Sequence, residues 1–154
     1  MKIVVTGAIG HIGSYLIRDL ALQFSGSEIV MIDNLMTQRF PSLFNLPTSA
    51  KYSFIEGDLT SMELNPIFKG VDTVIHLAAI TDAAGSVDNA ELLESNNFIG
   101  TEKVAIACLE NACNLITLSS TSVYGTQNSL VSEDCDESEL QPQSPYAITK
   151  LKEE

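Results

Sequence analysis

The chain has no tryptophan, two histidines, three cysteines and only eight basic residues among 154. Each scarcity excludes something. Cys108, Cys113 and Cys135 are an odd number without Cys-x-x-Cys spacing, which argues against a disulfide framework and against a metal site. Cys108 and Cys113 lie in an apolar helical pattern and read as core thiols. Eight Lys and Arg against twenty Asp and Glu leave a formal charge of −12. A surface of that sign repels phosphate backbones, so no nucleic-acid partner is expected. Five of the acids, Glu133, Asp134, Asp136, Glu137 and Glu139, share one stretch that reads as a solvated loop. No apolar run approaches the roughly 18–20 residues that a membrane span needs, so no membrane partner is expected. The start, Met1 to Gly7, has one charge and a short apolar run before a glycine. It is unlike a signal or transit peptide, and a cytoplasmic location is expected.

What is present is an alternation of strand and helix patterns, in a length that suits one domain. Lys2–Thr6 is a β-branched run that reads as a buried parallel strand. Ile12, Leu16, Leu20 and Phe24 recur every fourth residue, which predicts a helix burying that face and stopping at Gly26. Glu28–Ile32 reads as a second strand ending at Asp33, and residues 34–50 as loop and short turns. Lys51–Glu56 reads as a third strand. Thr60-Ser61-Met62-Glu63 has capping-box spacing, which predicts a short helix from Thr60 whose length Pro66 limits. Asp72–His76 is a fourth strand, Asn89–Ala112 a long helix, and Leu115–Leu118 a fifth strand. A polar loop over 125–144 precedes a helix from near Pro145. The pattern predicts an α/β fold, a doubly wound parallel sheet. The chain stops at Glu154 inside a helical pattern, and is therefore read as the N-terminal part of a longer protein.

Between the first strand and helix lies Gly7-Ala8-Ile9-Gly10-His11-Ile12-Gly13. A pyrophosphate-binding turn needs glycine for a tight bend, for close approach of phosphate to backbone, and for helix–sheet packing. Amides at the helix N-terminus then face the phosphates. Asp33 follows Gly13 by twenty residues. That is where a carboxylate accepts hydrogen bonds from an adenosine ribose, and where it repels a 2′-phosphate. The expected cofactor is NAD rather than NADP.

Tyr146-Ala147-Ile148-Thr149-Lys150 puts a phenol and an ammonium four residues apart on one helical face. An isolated phenol ionises near pH 10, too high for a base at neutral pH. A neighbouring cation favours the phenolate, and such a pair suits a proton acceptor for an alcohol being oxidised. Ser119-Ser120-Thr121-Ser122-Val123-Tyr124-Gly125 follows the fifth strand, at the sheet end where open α/β folds place ligands.

Together these residues resemble the extended short-chain dehydrogenase/reductase family, in its NAD-dependent epimerase/dehydratase group, over the whole chain. Thr6–Gly13 looks like T-G-x-x-G-x-x-G, and Asp33-Asn34-Leu35 like D-N-L. Gly57-Asp58-Leu59 looks like G-D-[LI], His76-Leu77-Ala78-Ala79 like H-x-A-A, and Asn97–Thr101 like N-x-x-G-T. Ser119–Gly125 resembles S-S-x-x-V-Y-G, and Tyr146–Lys150 Y-x-x-x-K. The resemblance implies a Rossmann fold in which residues 1–154 form an incomplete NAD-binding domain. The last strands and the substrate domain of the family are absent.

It also implies roles. Gly7, Gly10, His11, Ile12 and Gly13 hold the pyrophosphate, His11 through its amide. Asp33 and Asn34 hold the adenosine ribose, and Asp58 and Leu59 flank the adenine. Leu77, Ala78 and Ala79 line the path to the nicotinamide, and Asn97 supports that side. Ser120 binds the reacting oxygen, Tyr146 is the acid/base and also contacts the cofactor, and Lys150 binds the nicotinamide ribose and tunes Tyr146. His76 and Tyr124 read as structural.

The family's 4,6-dehydratases carry Asp-Glu after the catalytic Ser/Thr. Thr121 and Ser122 stand here, which disfavours dehydration. Ala8 replaces a frequent glycine. The implied activity is epimerisation of a nucleotide sugar, best matched by a UDP-hexose 4-epimerase. The alternatives are a reductase or dehydrogenase of the same family, or a non-catalytic NAD-binding fragment. The family implies a homodimer through the long helix and the Tyr-Lys helix. The chain by itself is expected to bind cofactor with little or no turnover.

Overall fold

The computed structural model describes residues 1–81, 90–127 and 130–154. Five strands form one parallel sheet: β1 (Lys2–Thr6), β2 (Glu28–Asp33), β3 (Lys51–Glu56), β4 (Thr73–His76) and β5 (Asn114–Thr117), in the order β3-β2-β1-β4-β5. β1 is central because it pairs on both sides, Val4 with Val30 of β2 and with Val74 of β4. The doubly wound prediction is met. Successive residues of β1 point to opposite faces. Val4 packs with Val30, Phe68, Val74, Val104 and Cys108, while Ile3 and Val5 pack with Ile17, Leu20, Ala21 and Ile29. Apolar residues on both faces are what a parallel sheet covered by helices on each side requires.

The helices are α1 (His11–Gln23), α2 (Asn65–Phe68), α3 (Ala90–Leu93), α4 (Gly100–Asn111) and α5 (Pro145–Glu153). The chain clusters into two compact units. One comprises Met1–Ala79 and Gly100–Leu118, and the other Ile80–Ile99 and Ser119–Glu154. Among the described residues no helix is long and apolar enough to cross a membrane. The five acids of the 133–139 stretch are exposed, as a solvated loop requires. Cys108 is buried in the core, where burial first and the Cys113 thiol second push its pKa to about 11. Its thiol is therefore inert at neutral pH.

Three local readings need correction. The face that α1 buries is Gly13, Ile17, Leu20 and Ala21, whereas Ile12 and Phe24 are exposed. A repeat of four runs ahead of the 3.6-residue turn by about 40° per step, so Ile12 and Phe24 fall off opposite edges of the stripe. No helix starts at Thr60. Asp58 Oδ1 accepts from the Thr60 amide at 2.8 Å and from its hydroxyl at 2.6 Å, and the Asp58 carbonyl accepts from Ser61 and Met62. That side-chain capture closes a turn instead. The helix starts at Asn65, with Pro66 in its first turn, where a missing N–H is harmless.

The long helix is not uniform. Asn89, its expected first residue, lies outside the described residues. Between α3 and α4 the backbone is π-helical over Glu94–Ile99. The bulge contains Asn97, which is fully buried. The Ile80 amide donates to Asn97 Oδ1 at 2.8 Å, and Asn97 Nδ2 donates to the Ile80 carbonyl at 2.9 Å. Asn97 thus satisfies both polar groups of one peptide residue just past β4. Asn97→Ala leaves these groups without their partner, at about 2 kcal/mol. The expected result is a melting temperature lower by roughly 4–8 °C, read by calorimetry.

Candidate functional site

In the first unit the expected cofactor residues follow the C-terminal ends of β1, β2, β3 and β4. Gly7 ends β1 with φ at +63°, a conformation that L side chains rarely adopt. A Cβ there would lie 2.7 Å from the Ala78 nitrogen, so the turn and the end of β4 are in close contact. A Cβ on Gly10 would lie 3.1 Å from the Gly7 carbonyl, and one on Gly13 only 2.2 Å from it. Gly13 is buried because α1 starts hard against the turn. The helix is capped by Gly10 without a side-chain hydrogen bond and has no acid in its first turn. Its leading amides are thus free of side-chain caps, in a region of positive helix potential.

Asp33 is nearly buried at the end of β2. Its Oδ2 accepts from the Ile9 amide at 3.3 Å and its Oδ1 from Leu35 at 2.9 Å. These bonds hold the carboxylate beside the glycine turn while leaving lone pairs for ribose hydroxyls. Asn34 and Asp58 are brought together. Hydrogen bonds from Thr60 first, then from the Asn34 side chain, hold the Asp58 carboxyl below its usual pKa. Leu59 packs its side chain into the core. Leu77, Ala78 and Ala79 are half-buried after β4. His11 and Ile12 are exposed.

Arg18 was missed by sequence reasoning. Its guanidinium reaches the carbonyls of Ser14 on α1 and of Ser42 and Phe44 in the loop after β2, at 2.6–2.9 Å. It ties that loop to α1. Its partners are backbone atoms, which no side-chain pattern announces.

A dinucleotide fits this set. The uncapped α1 amides suit the pyrophosphate, and the Asp33 carboxylate suits a ribose.

In the second unit Ser120 precedes a 3₁₀ turn, Thr121–Tyr124. Its Oγ accepts from the Ser122 amide at 3.2 Å and lies 2.8 Å from the Ser122 hydroxyl. α5 packs on this turn. It starts cleanly because Ser144 Oγ caps the Ala147 amide at 3.1 Å and Pro145 occupies the first turn. Tyr146 is half-buried and Lys150 is buried one turn on. The Lys150 ammonium pairs with Glu153 at 2.7 Å, on side chains only 7% and 3% exposed. The spacing of three along a helix is the sequence signal for that pair. Lys152 bonds Glu94 and lies over the Phe98 ring, tying α5 to the π-helical segment.

Comparison with known proteins identifies the family. The NAD dependent epimerase/dehydratase family matches residues 3–154. An uncharacterized UDP-glucose epimerase of Bacillus subtilis is 34% identical over 98% of this chain and 49% of its own. Among solved structures, the UDP-N-acetylglucosamine 4-epimerase of Methanobrevibacter ruminantium, in complex with UDP-N-acetylmuramic acid, superposes with a TM-score of 0.88. It is 34% identical over 99% of this chain and 47% of its own. The UDP-glucuronic acid 4-epimerase of Bacillus cereus, in complex with NAD, has a TM-score of 0.83 and 33% identity over 99% of this chain and 50% of its own. The chain spans about half the length of the curated relatives it matches. A profile match across almost every residue, on a parallel sheet with this glycine turn, shows that the chain belongs to the NAD dependent epimerase/dehydratase family of enzymes, with NAD as its cofactor.

Proposed function

We propose that the complete protein is a nucleotide-sugar 4-epimerase acting on a UDP-hexose, and that residues 1–154 are its NAD-binding domain. The observation that carries this reading is α5, whose Ser144 cap and buried Lys150 fix a phenol and an ammonium one helical turn apart. Relatives of similar sequence and fold that are named as UDP-sugar 4-epimerases support the substrate class.

Gly7, Gly10, Gly13 and the amides of His11 and Ile12 would hold the pyrophosphate. Asp33 and Asn34 would hold the adenosine ribose, with Asp58 and Leu59 at the adenine. Leu77, Ala78 and Ala79 would line the nicotinamide side, and Asn97 would brace it through Ile80. Tyr146 Oη takes the proton of the sugar 4-hydroxyl. The Lys150 ammonium, which pairs with Glu153 in the chain, would favour charge on that oxygen and would hold the nicotinamide ribose. Ser120 Oγ hydrogen-bonds the reacting oxygen while it is hydroxyl and while it is carbonyl. Bound NAD supplies the hydride acceptor and donor. Tyr146 Oη would return its proton to the sugar oxygen once the keto group has been turned to present its other face. Ser122 stands where a dehydratase of this family carries an acid, and its hydroxyl is engaged with Ser120, which supports epimerisation over elimination. The same resemblance carries a homodimer, which the exposed Ile106 and Leu109 on α4 support.

The test is to assay the complete protein with UDP-glucose and UDP-N-acetylglucosamine. Inversion at C4 without net reduced cofactor is expected. Stoichiometric accumulation of reduced cofactor overturns epimerisation in favour of a dehydrogenase.

The cofactor half is tested separately. Asp33→Asn keeps the shape of the side chain and removes its charge. Charge-assisted bonds to a ribose are lost, so the NAD dissociation constant rises about tenfold or more. Preference over NADP narrows at the same time, because the repulsion of a 2′-phosphate is gone. Calorimetric titration of both nucleotides reads the two effects.

A further inference from the structure

Thr6, at the end of β1, is fully buried, and three groups meet at its hydroxyl oxygen. The Leu77 amide, which it shares with the Thr6 carbonyl at 3.1 Å, approaches at 3.2 Å, and the Ala78 amide approaches at 3.4 Å. Nδ1 of the buried His76 lies 2.7 Å away. A hydroxyl offers two lone pairs and one proton. With two amides donating to this oxygen, its own proton is left for Nδ1. Nδ1 then accepts, and the ring proton sits on Nε2, which donates to Thr101 Oγ1 at 3.0 Å. The opposite tautomer would aim an N–H at an oxygen whose lone pairs are already engaged, and one amide would have to leave.

We infer that His76 is a positioning residue, held as the neutral Nε2–H tautomer, and that through the Thr6 hydroxyl it sets the Leu77–Ala78 peptide against the glycine turn. The margin there is small. The Ala78 nitrogen would be 2.7 Å from a Cβ on Gly7, so the peptide and the turn already touch at glycine distance. Losing the Thr6 bonds frees the peptide that closes one side of the cofactor cradle. The consequence for NAD rests on the cofactor reading above. The tautomer and the amide bonds are properties of the chain itself.

The chain has two histidines, so ¹⁵N-labelled histidine gives two ring systems, and His11→Ala assigns them. Long-range ¹H–¹⁵N spectra at neutral pH are expected to show His76 with a bare Nδ1 and a protonated Nε2. Thr6→Ser keeps this pattern and Thr6→Val loses it. In His76→Leu the amide proton of Ala78 exchanges about tenfold faster or more, while that of Leu77, which also bonds the Thr6 carbonyl, changes less. In His76→Asn, whose Oδ1 can take the place of Nδ1, most of the protection returns, and NAD affinity follows the same order. A proton on Nδ1, or on both nitrogens, overturns the inference, as does unchanged exchange in a folded His76→Leu. Should His76→Leu fail to fold, the wild-type spectrum and the Thr6 pair decide. A wild-type chain with the expected tautomer and protection that does not bind NAD overturns the cofactor reading and leaves this one standing.

Discussion

On the proposed 4-epimerase reading, Tyr146→Phe in the complete protein lowers kcat by roughly 10²- to 10⁴-fold, the range general acid–base catalysis supplies. The change removes one oxygen and nothing else. Tyr146 sits in the second residue of α5, where the Ser144 cap holds Ala147 rather than the phenol, so the helix forms without the hydroxyl. The loss therefore belongs to the proton transfer and not to folding. NAD affinity, measured by calorimetry, stays near the wild-type value, because the pyrophosphate and ribose contacts proposed for the cofactor lie elsewhere. Steady-state kinetics on the nucleotide sugar then show a fall in kcat with little change in KM. A variant that keeps most of its turnover removes Tyr146 from the acid/base role.

The largest expected effect on folding comes from one methyl group. In Gly13→Ala the new Cβ would lie 2.2 Å from the Gly7 carbonyl oxygen and 2.8 Å from that of Ala8. Both are backbone atoms, so no side chain can swing aside. Either α1 moves off the sheet, taking Ile17, Leu20 and Ala21 from the core, or the glycine turn deforms. Overpacking of this kind costs about 3 kcal/mol. The expected melting temperature falls by roughly 6–12 °C. NAD binding is lost with it, since the moved amides are those proposed for the pyrophosphate. A variant that melts within a degree of wild type and binds NAD normally would show that the turn is not packed as described.

Much of the site could be read before the fold. Gly7, Gly10, Gly13 and Asp33 are close in sequence to the strand ends that carry them, and their spacing reports a strand, a turn and a helix start. β1 and β2 were readable because strands buried on both faces of a parallel sheet demand unbroken apolar runs, whereas the edge strands β3 and β5 are partly exposed. The errors have equally local causes. At Thr60 two physical rules competed, and Asp58 captured the amides that a helix would have used. On α1 the repeat of four identified a helix but drifted from the face that packs.

By itself the sequence determined the order of elements, the phosphate-type turn, the acid at the end of β2, and the Ser, Tyr and Lys expected to do chemistry. Those features depend on runs and short spacings, which a linear chain carries explicitly. Only the tertiary structure decided which peptide each buried polar group serves. Thr6 and His76 are 70 residues apart in the chain and 2.7 Å apart in space. Asn97 bonds Ile80 across 17 residues by means of a π-helical turn, and Arg18 holds carbonyls in a loop 24 and 26 residues away. A buried donor or acceptor must find a partner, but the chain's periodicity does not say which one. That choice is made when β1 and β4 pair and bring their ends together.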